Sequence, residues 1–244
     1  MAATHVEERD DRMVVTLDRP ETRNAIDQRM VDELHAVCER LEAEPRILII
    51  AGAGGVFASG ADIGELLERR AADAERAINA RIFTRIHDLP MPVIAALDGY
   101  ALGGGAELAY AADFRLGTPR LRIGNPETGL GIIAAAGALW RLPQLVGEPL
   151  AAEIVLAGRM LTGEEALAAR LITELHEPEA LLPAAHALAD RIAANDPLAT
   201  RYTKSVLHAP PAAHPLAEQE AQAVLFESPE KRRRMTAFLQ RRAR

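Results

Sequence analysis

Two short, unbroken apolar runs constrain this chain more than any other feature: Ile47-Leu48-Ile49-Ile50-Ala51 and Pro92-Val93-Ile94-Ala95-Ala96-Leu97. Neither alternates polar with apolar residues, so each reads as a strand covered on both faces. Strands of that kind belong to sheets flanked by helices. Each run is followed by a turn of small residues, Gly60-Ala61-Asp62 in the first case and Gly103-Gly104-Gly105 in the second, and each turn leads into a helical pattern. Strand–turn–helix units that recur without a sequence repeat predict an α/β fold with its active turns at strand ends.

The remaining chain fills in around these units. Residues 6–17 read as a hairpin about Asp10-Asp11. Asp27 is placed to cap a helix running to about Glu44, with Pro45 ending it. One long helical region is expected over 63–87, stopped by Pro90 and Pro92. Beyond the second glycine turn come a short helix to about Asp113 and extended pieces at 114–116 and 121–123. From about Leu139 the chain reads almost wholly helical, in segments 139–146, 148–157, 164–169, 180–195, 198–207, 216–226 and 229–241. The break at Asn195-Asp196-Pro197 places a division there, between a core of residues 1–195 and a helical tail of residues 196–244.

Composition narrows the class. With 244 residues, 49% hydrophobic and 26% charged, the chain can bury a substantial core and is not a disordered type. Aromatics are only 4%, so that core must be aliphatic and rich in alanine. A net charge of −7 argues against nucleic acid as a general partner. The single cysteine, Cys38, lies on the stripe Met30, Leu34, Val37, Cys38, Leu41 and is expected to be buried and inert, as fits a reducing compartment. The start, Met1 to Glu8, has no basic and apolar leader pattern, and the most apolar stretch, 129–140, falls short of the ~20 residues that span a bilayer. The expectation is a cytoplasmic protein without a membrane segment. The ending departs from the overall charge: Lys231, Arg232, Arg233, Arg234, Arg241, Arg242 and Arg244 come with no acid among them. They form either a solvated helix face or a contact for an anionic group.

Several motif readings fail on inspection. Gly52-Ala53-Gly54-Gly55 starts like a dinucleotide loop, but the third glycine position is Phe57. Gly55 and Gly60 have phosphate-loop spacing, yet Ala61-Asp62 stand where lysine and a hydroxyl residue are required. Ser59 lacks the surroundings of a nucleophile elbow. The histidines, at 5, 35, 87, 176, 186, 208 and 214, form no ligand cluster, so no metal site is expected. Two glycine-bearing turns are left, exposing backbone N–H groups at positive helix ends suited to an oxygen gaining negative charge. Beside them stand two glutamates: Glu107, set among small apolar residues, and Glu127 in Gly124-Asn125-Pro126-Glu127.

At this point the chain resembles the enoyl-CoA hydratase/isomerase (crotonase) family. The resemblance is carried by Leu17-Asp18-Arg19-Pro20 with Asn24-Ala25, by Phe57-Ala58-Ser59-Gly60-Ala61-Asp62, by Pro92 to Ala96, by Gly99 to Gly105, and by Pro126-Glu127, all in the family's order. It implies a spiral of ββα units with C-terminal helices that build homotrimers, usually paired as dimers of trimers. It further implies that the N–H groups of Ala61 and Gly104 hold a thioester oxygen while Glu107 and Glu127 flank the alkene of an acyl-CoA. CoA is part of the substrate, and no separate cofactor is called for. The segment Phe57, Ser59, Asp62, Ile63 should contact CoA mostly through backbone, near Ala25. Arg23 is a phosphate candidate, and Phe238 and Arg241 occupy the family's C-terminal basic pattern.

One stretch departs from the family. Relatives carry a proline and two glycines after the second glutamate where this chain reads Ala134-Ala135-Ala136-Gly137-Ala138-Leu139-Trp140-Arg141. Ala135 keeps an N–H but lacks glycine's freedom at positive φ, and Trp140 replaces a polar residue, so an altered water site is expected. Hydration of a 2-enoyl-CoA is the leading implication. A 3,2-enoyl-CoA isomerase, or an acyl-CoA-binding protein of little turnover, are the alternatives.

Overall fold

The computed structural model describes residues 2–242. Met1, Ala243 and Arg244, and with them the last arginine of the basic run, lie outside the described residues.

β1 (Thr4–Glu8) and β2 (Arg12–Leu17) form the expected antiparallel hairpin. α1 (Gln28–Ala43) begins where Asp27 accepts a hydrogen bond from the Met30 N–H at 2.8 Å. β3 (Ile47–Gly52) lies parallel to β2, with Leu48 opposite Met13. Every residue from Ile47 to Ile50 is fully buried, as an apolar run covered on both faces requires. Cys38 is buried on the α1 stripe, and burial pushes its thiol up to about 12, so it carries no thiolate at neutral pH.

The single helix expected over 63–87 is three: α2 (Ile63–Glu68), α3 (Ala71–Arg76) and α4 (Ile78–His87). The chain is extended at Arg69 and Arg70 and left-handed at Ala77, where φ is 49°. The cause is visible in the sequence between Glu68 and Ala77, which offers no apolar side chain larger than alanine to bury. Only α4, through Ile82, Phe83 and Ile86, has a buried apolar face to pack. β4 (Val93–Leu97), β5 (Tyr100–Leu102) and α5 (Gly104–Ala111) come next, then β6 (Phe114–Gly117) and β7 (Arg122–Gly124). Beyond them are α6 (Ala138–Val146), α7 (Glu148–Ala157), β8 (Leu161–Thr162), α8 (Gly163–Ala168), β9 (Glu174–Leu175) and α9 (Pro178–Ala193). The region after Leu139 is therefore not wholly helical. β8 and β9 are two residues each, too short to leave a period in the sequence.

One sheet has the strand order β1-β2-β3-β4-β6-β9, parallel throughout except for the first hairpin, and a second has the order β5-β7-β8. Close backbone approach sets one residue of the glycine triplet. A Cβ on Gly105 would stand 2.3 Å from the Ala58 carbonyl oxygen, so α5 can pack on that segment only with glycine there.

The chain divides into two compact units, residues 1–189 and 190–244, against the division at 195/196 expected from the proline break. The last turn of α9 groups with the C-terminal helices. In the second unit α10 (Pro197–Leu207) is capped by Asp196, which accepts from the Ala199 N–H at 3.1 Å; α11 (Leu216–Glu227) and α12 (Pro229–Arg242) complete it. On α12 Glu230 pairs with Arg233 and Arg234, which draws its carboxyl down to about 2. Leu207, Leu216, Phe226, Phe238 and Leu239 are exposed. Among the described residues no helix is long and apolar enough to cross a membrane.

Candidate active site

The first donor follows from a bridge. Ile26 donates its N–H to the Gly60 carbonyl at 2.8 Å, and Asp62 donates its N–H to the Ile26 carbonyl at 3.1 Å. Pairing by the residues on either side turns the Ala61 N–H the other way, because successive peptide groups of an extended chain point to opposite sides. Asp62 then caps α2, accepting from the N–H groups of Gly64 and Glu65. The second donor is Gly104, first residue of α5, whose N–H has no place in the helical ladder. Among the described residues neither Ala61 nor Gly104 has an acceptor for its N–H. Gly103 brings the two together at φ 53°, and a Cβ there would meet Glu127 Oε1 at 3.2 Å.

Glu107 lies on the first turns of α5 and is buried. Its Oε1 accepts from the N–H groups of Ala136 (2.7 Å) and Ala138 (3.1 Å). Burial pushes its carboxyl up to about 7, against the pull of those donors and with a further push from Glu127. The altered turn thus cradles Glu107. The one left-handed position within it, φ 133°, falls on Gly137, which is still glycine, so Ala134, Ala135 and Ala136 sit there without strain.

Glu127 opens a short 3₁₀ turn and is also buried. Its Oε1 accepts from Asn125 Nδ2 at 3.3 Å, while Oε2 is buried with no partner among the described residues. Burial raises its pKa as well, so both carboxyls hold a proton more readily than a free carboxyl does. Asn125 in turn accepts from the Tyr110 hydroxyl at 3.0 Å. Sequence reasoning misses this Tyr110–Asn125–Glu127 chain. Its one signal is a lone tyrosine three positions after Glu107 on the same helix face.

Both carboxylates and both donors line one cleft of about 640 Å³, with Ser59, Ile63, Asn79, Ala135 and Ala136 also on its wall. Ser59 donates its hydroxyl to the Thr22 carbonyl, and its N–H to the Arg23 carbonyl. Arg23 stands in a left-handed turn (φ 55°), and Ala25 is buried two residues on. Neither Arg23 nor Ala25 is on the cleft wall, and three more of the expected contacts, Phe57, Asp62 and Trp140, lie off it as well. Phe57 is a core side chain, fully buried, with its N–H donated to the Asp98 carbonyl. Asp62 is committed to capping. Trp140 is half exposed, its ring stacked 3.9 Å from the Arg141 guanidinium carbon. Phe238 and Arg241 belong to the second unit, where both are on α12 and Arg241 donates to the Ala237 carbonyl at 3.4 Å.

Residues 8–244 match the family model described as enoyl-CoA hydratase/isomerase. The chain belongs to that family. Among its relatives are a short-chain-enoyl-CoA hydratase of Clostridium acetobutylicum, 34% identical over 94% of this chain and 91% of the relative, and a crotonyl-CoA hydratase of Syntrophomonas wolfei, 33% identical over 94% and 92%. Of solved structures, an enoyl-CoA hydratase from Bacillus anthracis superposes with a TM-score of 0.92 at 28% identity, covering 98% of this chain and 96% of that one. The crotonase fold expected from the sequence is therefore the fold of this chain. In this member of the enoyl-CoA hydratase/isomerase family, the alanines after the second glutamate keep the backbone N–H groups on which Glu107 depends.

Proposed function

We propose that this chain is an enoyl-CoA hydratase, adding water across the C2–C3 double bond of a 2-enoyl-CoA. One observation carries the reading. Two buried carboxylates face one cleft, and Glu107, the one that isomerisation would not need, is held in place by two backbone N–H groups. Double-bond isomerisation needs a single acid–base group; hydration needs one group for the water and one for carbon.

The thioester oxygen accepts from the N–H groups of Ala61 and Gly104, which draws electron density from the alkene and stabilises the enolate. Each such donor is worth on the order of 10²–10³ in rate. Glu107 removes a proton from the water as its oxygen bonds to C3, and Glu127 delivers its proton to C2. The carboxyl pair ends with its single proton moved from one member to the other, and solvent exchange resets it. Asn125, fixed by Tyr110, orients Glu127. The reaction uses these residues and the substrate's own CoA, with no further cofactor. CoA runs past Ser59 and Ile63 toward Arg23. The enzyme works in the cytoplasm on an acyl-CoA thioester, not on nucleic acid or at a membrane.

Crotonyl-CoA in deuterated water tests the activity. Hydration is expected to yield 3-hydroxybutyryl-CoA with one deuterium at C2 and loss of the enoyl-thioester absorbance. Conversion of a 3-enoyl-CoA without water uptake would make the chain an isomerase, and binding without turnover would make it an acyl-CoA-binding protein.

In the same reading the first unit, residues 1–189, holds the acyl-CoA site and the second, residues 190–244, drives assembly into a homotrimer or a dimer of trimers. Support comes from the apolar side chains left exposed on α10, α11 and α12, among them Leu207, Leu216, Phe226, Phe238 and Leu239. A tail this small has too little core to cover them itself. Light scattering is expected to return at least three times the 26.4 kDa of one chain; a mass of one chain at micromolar concentration would overturn assembly.

A further inference from the structure

Gly104 leaves an opening whose borders can be measured. A Cβ built on it would lie 3.4 Å from the Ala61 nitrogen and 3.5 Å from Nδ2 of Asn79. Gly104's own N–H adjoins the same spot. Two of these nitrogens are the backbone donors already described; the third belongs to a side chain that neither the fold nor the reaction has so far used. Asn79 sits on the first turn of α4, two residues after the left-handed Ala77, and lines the cleft. Its Oδ1 is buried and has no hydrogen-bond partner among the described residues. An amide with one end buried and unpaired is poorly placed for stability alone.

We propose that Asn79 is a third donor to the thioester oxygen, presenting Nδ2 to the opening that Gly104 leaves. Chemistry selects the orientation of the amide. An oxygen gaining negative charge is attracted to an NH₂ group and repelled by a carbonyl, so the donor end faces the substrate and the acceptor end is turned inward. A neutral donor suits this place. A lysine or arginine there would pair with Glu107 or Glu127 and hold both carboxyls ionised, whereas an amide stabilises the enolate and leaves the shared proton of the pair intact. The break between α3 and α4 has a role in this arrangement, since the turn at Ala77 starts the helix that carries Asn79.

The inference rests on the acyl-CoA reading above, and its test separates the two. Asn79→Ala and Asn79→Asp are compared with the unmodified enzyme for kcat and KM on crotonyl-CoA. The ultraviolet red shift of bound 2,4-hexadienoyl-CoA is recorded as well, because it reports polarisation of the thioester carbonyl. Asn79→Ala is expected to lower kcat about 10²-fold with KM little changed and to diminish the red shift. Asn79→Asp should lower kcat further by setting a carboxylate against the enolate. A folded Asn79→Ala protein with unchanged kcat and red shift would overturn the donor role, as would a loss confined to KM. If the unmodified chain isomerises enoyl-CoA but does not hydrate it, the red-shift result still decides the role of Asn79. An unmodified chain that turns over no acyl-CoA would remove the activity on which the donor role depends.

Discussion

Replacing Glu127 with glutamine is expected to lower kcat for hydration by at least about 10²-fold while the fold and assembly stay unchanged, because the proton bound for C2 then has no source. Glu107→Gln is expected to do the same by leaving the water without a base. The two variants differ in stability. Glu107 holds its proton more tightly in the folded chain than a free carboxyl does, with a value of about 7 against 4.5. Folding therefore loses stability as pH rises through that interval, and the full loss, on the order of 3 kcal/mol, stands above it. Glutamine removes the ionisation but can still accept from the Ala136 and Ala138 N–H groups. Glu107→Gln should therefore melt higher than the unmodified chain at about pH 8 and show no such gain below about pH 4. A variant that gains stability as it loses activity marks a residue kept for chemistry. Unchanged hydration by Glu107→Gln would overturn the two-carboxylate mechanism. The pH dependence of kcat/KM, which reports the free enzyme, supplies a second readout: a limb near about 7 that disappears in Glu107→Gln.

Gly104→Ala is expected to fold normally and to lose activity by about 10²-fold or more. The nearest atoms to the added methyl group, the Ala61 nitrogen at 3.4 Å and Asn79 Nδ2 at 3.5 Å, are at ordinary contact distance, and alanine favours a helix over glycine. The methyl group nevertheless occupies the place assigned to the thioester oxygen and shields its donors. Gly105→Ala makes the informative control. There the Cβ would come within 2.3 Å of a backbone carbonyl, so that variant should lose stability first. Circular dichroism and thermal melting establish that the Gly104 variant is folded. Full turnover by such a protein would exclude this place as the anion hole.

The two neighbouring glycines show where sequence reading stops. Both stand in one triplet, and the triplet alone announces only a tight turn entering a helix. Gly105 is required by the Ala58 carbonyl and Gly104 by the space beside Ala61, both on a segment more than forty residues earlier in the chain.

The amino-acid sequence by itself determined the strands that form the sheet, the capped first helix, the two glycine-bearing turns and the placing of Glu107 and Glu127 beside them, because each rests on local pattern: an unbroken apolar run, an Asp before a helix, a glycine turn, an acid among small residues. Tertiary structure alone decided the rest. It broke the expected helix over 63–87 into three, since nothing apolar and large between Glu68 and Ala77 could anchor a continuous one. It turned Phe57 into the core and Trp140 onto the surface. It brought Ala136 and Ala138 to Glu107, Tyr110 through Asn125 to Glu127, and Asn79 beside Ala61 and Gly104. Those contacts join residues whose spacing in the chain carries no period, and buried polar groups find their partners only where the packed elements place them.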